Sequence, residues 1–222
     1  MAPQRHSPNF DDRPPATPID MVVIHYTGME SAEAALARLC DAEAKVSAHY
    51  VIGEDGAVTS LVEEKHRAWH AGEAFWRGHT DINARSIGIE LVNPGHEFGY
   101  RDFSEAQMSA LEDLAKGVLD RHPIPARNVV GHSDVAPSRK TDPGERFDWA
   151  GLAAAGIGLW PEGGEGDADK VGEMLSAFGY DTRDLAAAVS AFQRHFSPES
   201  LGSPVDGALA DRLKALLDRC NT

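Results

Sequence analysis

Three short runs rich in β-branched and apolar residues, Met21–Tyr26 (MVVIHY), Ser86–Asn93 (SIGIELVN) and Asn128–Gly131 (NVVG), alternate along the chain with stretches of helical periodicity. Near-continuous apolar runs of this length are what strands buried on both faces require. Strands interleaved with helices close into an α/β sheet, because each helix returns the chain to the sheet edge and covers one face. The helical pattern over Ser31–Ala44 places Ala35, Leu36, Leu39 and Cys40 together after a Ser31 cap. A longer one, Ser104–His122, gathers Met108, Leu111, Leu114, Ala115, Val118 and Leu119 on one side. His49–Ile52 and Val58–Val62 flank Glu54-Asp55-Gly56, a hairpin signal. The fold class expected is α/β, a mixed central sheet flanked by helices over residues 20–161, preceded by a polar, proline-rich arm at 1–19. Residues 162–167 (EGGEGD) read as an acidic glycine-rich linker. Residues 168–222 carry helical patterns around 168–178, 184–196 and 206–219, and read as a small all-α three-helix domain.

Charge narrows the partners. Lys and Arg number 21 against 35 Asp and Glu, a net charge of −14 that repels phosphate backbones and anionic lipid. No nucleic-acid or membrane role is expected, and no apolar run reaches the ~18 residues of a spanning helix. Cys40 and Cys220 are far apart and form no CxxC pair. The opening MAPQRHSPNFDDRPP has no hydrophobic signal segment. A monomer in the cytoplasm is therefore expected, with the periplasm as the alternative.

The common catalytic signatures are absent: the chain has no GxSxG elbow, HExxH helix, Walker A loop or GxGxxG turn. Three residues form a candidate open metal site. His25 ends a hydrophobic strand, His132 follows NVVG in GHSD, and Asp142 lies ten residues later in KTDPG. A catalytic zinc takes three such N/O ligands and keeps a fourth position for water. On spacing alone the metal reading is weak, and an ordinary hydrogen-bonded surface or core residue is the better reading of either histidine.

VVIHYT (22–27), SAHYVIGEDG (47–56), RAWHAG (67–72), SIGIELVN (86–93) and GHSDVAPSRKTDPG (131–144) occur in this order. Together they resemble the zinc N-acetylmuramoyl-L-alanine amidases of the amidase_2 type over about residues 7–150, and especially the anhydro-muropeptide amidases of Gram-negative bacteria. The resemblance implies hydrolysis of the amide between N-acetylmuramic acid, or its 1,6-anhydro form, and L-alanine of the stem peptide, with muropeptides and peptidoglycan fragments as partners. It implies Zn2+ held by His25, His132 and Asp142, Glu90 as general base and Lys140 as electrostatic stabiliser. Lys45, Trp69 and Asn83 are the substrate contacts it suggests, and His49 and His70 become hydrogen-bonding neighbours of the ligands. Arg85 stays unassigned, and His66, His79, His96, His122 and His195 are expected at the surface. Met174-Leu175, Phe178-Gly179-Tyr180, Ala188-Val189, Phe192-Gln193 and Val205-Asp206-Gly207 resemble a peptidoglycan-binding three-helix module. The short Tyr180–Ala188 spacing leaves open whether that module binds wall or serves as a structural lid. Two other readings stay open: a non-catalytic muropeptide-binding protein on the same fold, and a metallo-amidohydrolase acting on another amide. Muropeptides carry carboxylates, so an acidic chain must meet them with a local concentration of positive charge.

Overall fold

The computed structural model describes residues 5–220. The first four residues of the expected arm and the last two of the expected helical domain lie outside the described residues. Seven strands are present there: β1 (Phe10–Asp12), β2 (Met21–Tyr26), β3 (Tyr50–Ile52), β4 (Val58–Ser60), β5 (His66–Ala68), β6 (Ser86–Leu91) and β7 (Val129–Gly131). Five of them form a sheet in the order β4-β3-β6-β2-β7, with β4 antiparallel to β3 and the other pairings parallel. The mixed sheet expected from the sequence is the one observed, and β1 pairs separately with β5. The helices are α1 (Ala32–Leu39), α2 (Ile82–Arg85), α3 (Gly95–Phe98), α4 (Glu105–Arg121), α5 (His132–Val135), α6 (Trp149–Ala154), α7 (Val171–Phe178), α8 (Leu185–Phe196) and α9 (Gly207–Cys220).

Local chemistry sets several boundaries. Ser104 and Gln107 form a reciprocal capping box that starts α4 at the residue after the serine. The first helical pattern is shorter than expected: α1 stops at Leu39. There the Asp41 side chain accepts from the Glu43 N–H and starts a separate turn at Ala42–Ala44.

Period-two alternation gives the sheet two different faces. Val22, Ile24, Ile87, Ile89, Leu91 and Val129 pack with Leu111, Ala115 and Val118 of α4. Met21, Val23 and Val130 belong instead to a cluster with Trp76 and Ile82 that continues into Val171, Leu175, Phe178, Phe192 and Leu213. The carboxy-terminal helices thus share one buried core with the sheet. His25 and Glu90 alternate onto the same side as Val23, beyond it toward the carboxyl ends of β2 and β6.

The arm is anchored to the domain: Ser7 and Asn9 are buried, and the Arg13 guanidinium donates to the carbonyls of Glu64, Asn83, Ala84 and Ser86. His195 is buried rather than exposed, since it follows Ala188 and Phe192 at helical spacing on the inner face of α8. Its ring stacks on Trp149 at 3.7 Å, and its Nδ1 lies 2.7 Å from Asp134 Oδ2. Tyr180 donates to the other oxygen of Asp134 at 2.6 Å, and the Gly131 N–H adds a third bond to that carboxylate. The carboxy-terminal segment therefore grips α5, the helix that begins with His132.

Candidate active site

Parallel pairing of β2 with β6 sets His25 opposite Glu90. His132 is the first residue after β7, and the Ser133 N–H holds the backbone of the Asp142 loop through the Asp142 carbonyl at 2.9 Å. Three strand-anchored segments therefore converge, as they do beyond the carboxyl ends of strands in open α/β sheets. His25 Nδ1, His132 Nδ1 and Asp142 Oδ2 lie 2.9–3.0 Å from one another, and all three residues are buried. They open into a cleft of about 400 Å³ that Glu90, Lys140 and Trp69 also line.

The donor set fits a cation. A carbonyl only accepts, so the 3.0 Å contact of His132 Nε2 with Ala71 O puts the hydrogen on Nε2 and leaves Nδ1 bare in the neutral ring. Burial, reinforced by His132, lowers the His25 pKa to about 4, so this ring is neutral at physiological pH. Burial opposes ionisation of Asp142, yet the adjoining His132 and His25 hold its carboxyl well below the usual range. Two imidazole nitrogens and one carboxylate oxygen facing one another at this distance are the N/O ligand chemistry of a zinc-type site.

Glu90 is the opposite case. Burial and the nearby Asp142 charge push its carboxyl well above the usual range, while Lys140 pulls it back. Its Oε2 is buried with no hydrogen-bond partner among the described residues. A carboxylate so placed gains by taking up a proton.

The other sequence candidates fare differently. Trp69 lines the cleft, and its backbone exchanges hydrogen bonds with Ser47. Lys45 is exposed at a positive-φ turn; its neighbours Val46 and Ser47 line the cleft and it does not. Asn83 is also outside the cleft. It is buried, and its Oδ1 accepts from the N–H groups of His70 and Ala71, so it braces that backbone. His70 Nδ1 meets His25 Nε2 at 3.0 Å, and His49 Nδ1 accepts from the Gly88 N–H. Sequence reasoning passed over Arg38 and Arg139, which with Lys140 supply the cleft's positive charge. It also passed over Tyr26, whose hydroxyl reaches Thr141 and His96, the latter in turn contacting Glu145. Only the position of Arg139 beside Lys140 offered a signal.

Comparison with known proteins agrees with this geometry. The Amidase_2 family, described as N-acetylmuramoyl-L-alanine amidase, matches residues 15–145. The chain is 36% identical to the N-acetylmuramoyl-L-alanine amidase AmiD of Escherichia coli, over 90% of this chain and 83% of AmiD. The structure of E. coli AmiD with its substrate anhydro-N-acetylmuramic acid-L-Ala-D-gamma-Glu-L-Lys superposes with a TM-score of 0.82 at 34% identity, covering 97% of this chain and 93% of that one. AmpDh3 of Pseudomonas aeruginosa in complex with anhydromuramic pentapeptide gives 0.79 at 33% identity, covering 97% and 96%. The 1,6-anhydro-N-acetylmuramyl-L-alanine amidase AmpD of E. coli is 35% identical but spans only 65% of this chain, and 86% of AmpD.

The cytoplasmic location expected above is corrected by this pattern. That expectation rested on the amino-terminal residues, whereas likeness along the whole chain is to AmiD and AmpDh3, which favours the periplasm. The protein is an enzyme that hydrolyses the amide between N-acetylmuramic acid, or its anhydro form, and L-alanine in peptidoglycan turnover. With its buried His-His-Asp cluster, its fold and its likeness along most of the chain in agreement, the chain belongs to the Amidase_2 family of N-acetylmuramoyl-L-alanine amidases.

Proposed function

We propose that the enzyme uses a zinc ion held by His25, His132 and Asp142, with Glu90 as general base and Lys140 as the group that stabilises negative charge on the scissile carbonyl. The observation that carries this reading is the closure of three candidate ligand atoms to 2.9–3.0 Å in the cleft that Glu90 lines, with its buried Oε2 unpartnered among the described residues. A bound zinc supplies Lewis acidity, polarising the carbonyl and lowering the pKa of water from ~15.7 toward about 7. Glu90 takes the proton of the attacking water and delivers it to the departing alanine nitrogen, a transfer its raised pKa favours. Lys140 brings a fixed positive charge to the oxyanion that develops on the carbonyl. Trp69 offers an aromatic wall for the sugar, and Arg38 and Arg139 offer cations for carboxylates of the stem peptide.

Incubating zinc-loaded protein with anhydro-muropeptide and reading the products by mass spectrometry tests this directly. Free anhydro-sugar and a peptide beginning with L-alanine are expected, lost on chelation and restored by Zn2+. Full activity in metal-free protein refutes the mechanism, and a different new amino terminus refutes the bond assignment.

A further inference from the structure

The hydrogen bonds behind His25 run in one direction only. Ser86 Oγ lies 2.7 Å from the Ile82 carbonyl, which can only accept, so the single hydroxyl hydrogen is committed there. Toward His70 Nε2, 3.1 Å away, Ser86 is then the acceptor, and His70 carries its hydrogen on Nε2. The bare His70 Nδ1 must accept from His25 Nε2 at 3.0 Å. His25 is left with its lone pair on Nδ1, the nitrogen that faces His132 and Asp142.

The surroundings hold His70 in the place this relay needs. A Cβ on Gly88 would come within 2.4 Å of the His70 ring, so the ring lies directly on the bare backbone of β6. Asn83 fixes the backbone of residues 70 and 71 through two N–H bonds, and the Ala71 carbonyl is the acceptor for His132 Nε2. One short segment thereby sets the tautomer of both histidines: the His70 side chain for His25, the Ala71 carbonyl for His132.

We propose that Ser86 and His70 are positioning residues which, through the fixed hydroxyl of Ser86, lock His25 in the tautomer that presents Nδ1 to the metal. The proposal rests on the metal reading of His25, His132 and Asp142. Both act through His25, the residue that His70 contacts directly. Partners behind a ligating histidine typically change metal affinity by ~10–100-fold when removed.

Long-range nitrogen–proton NMR of the imidazoles in metal-free wild-type protein reads the tautomers without reference to zinc. Hydrogen on Nε2 of both His70 and His25 is expected, and hydrogen on His70 Nδ1 overturns the proposal. Zn2+ affinity by chelator competition is the second readout. Ser86→Ala should weaken binding ~10-fold and His70→Phe ~10–100-fold, with partial recovery in His70→Gln, whose amide oxygen accepts as Nδ1 does. Wild-type affinity in both Ser86→Ala and His70→Phe overturns the proposal. If wild-type protein itself binds no zinc, the metal reading fails, and the tautomer measurement still decides the relay. Should His70→Phe not fold, Ser86→Ala and the wild-type spectrum carry the test.

Discussion

His25 and Glu90 are register partners across the parallel strands β2 and β6, so a proposed metal ligand and the proposed base stand side by side on one sheet face. A slip of one residue would send either side chain to the opposite face, among Ile24 and Ile89. Replacing Glu90 by Gln keeps the shape and removes the base. A fall in kcat of roughly 10²–10⁴-fold is expected with zinc content unchanged. In wild type, protonation disables Glu90, so activity should drop as pH falls through a pKa above the ordinary carboxylate value. A pH–rate profile on anhydro-muropeptide checks both; an acid limb at or below the normal carboxylate range contradicts the assignment.

Lys140 shares the cleft with Glu90 and its charge favours the ionised carboxylate. Lys140→Met should lower the rate by ~10²–10³-fold. Because the mutation removes a cation that lowers the Glu90 pKa, the acid limb should also move to higher pH. A rate loss with an unmoved limb would separate the two roles and leave only charge stabilisation of the carbonyl.

Asp134 is buried and receives hydrogen bonds from Tyr180, His195 and the Gly131 N–H. Tyr180→Phe keeps the ring among Trp76, Phe178 and Phe192 but takes one donor from this carboxylate. A cost of about 1–3 kcal/mol is expected in urea unfolding at neutral pH. An unchanged midpoint would mean that the grip of the carboxy-terminal helices on α5 is apolar only.

Acid should unfold the metal-free protein early. The pKa values of His25 and His49 are lowered from 6.5 to about 4 and about 3, chiefly by burial. Below pH 6.5 the unfolded chain therefore binds more protons than the folded one. The stability present above that pH is lost progressively as pH falls toward the folded values. Melting temperatures measured across pH 3–8 should show this slope, and His49→Gln, which can still accept from the Gly88 N–H, should flatten it. An equal slope in the variant excludes His49 as a source.

Arg38 is an exposed cation at the cleft. Arg38→Ala should raise KM for a muropeptide by about two- to five-fold, the worth of one solvent-exposed ion pair, with kcat unchanged. The increase should shrink at high salt. A fall in kcat instead would place Arg38 in the chemistry.

The five strands of the central sheet, the start of α4 and the hairpin were readable because each depends on residues close in sequence. Buried runs, a serine ahead of a helical pattern and a turn tripeptide state their own local structure. The His25-His132-Asp142 cluster was readable only as a pattern shared with a family, since nothing local to His25 reports that His132 and Asp142 will meet it. His195 was misjudged although its spacing from Ala188 and Phe192 contained the answer. Lys45 and Asn83 do not line the cleft for a different reason: which way a residue of a connection or a short helix such as α2 faces depends on the path of the whole segment. At Lys45 that path ends in a positive-φ turn.

By itself the sequence determined the α/β class, the strands that carry His25, Glu90 and His132, and the chemical types available for binding and catalysis. These follow from periodicity and residue chemistry, which act over a few residues. Tertiary structure alone decided that β2 and β6 pair in the register joining His25 to Glu90, and that Arg38 and Arg139 concentrate positive charge in an acidic molecule. It also decided that the carboxy-terminal helices fuse with the sheet's core and hold Asp134. Those outcomes come from burying apolar faces against partners remote in the chain, and from pairing buried polar groups such as Asp134 as the faces close. No local pattern encodes either.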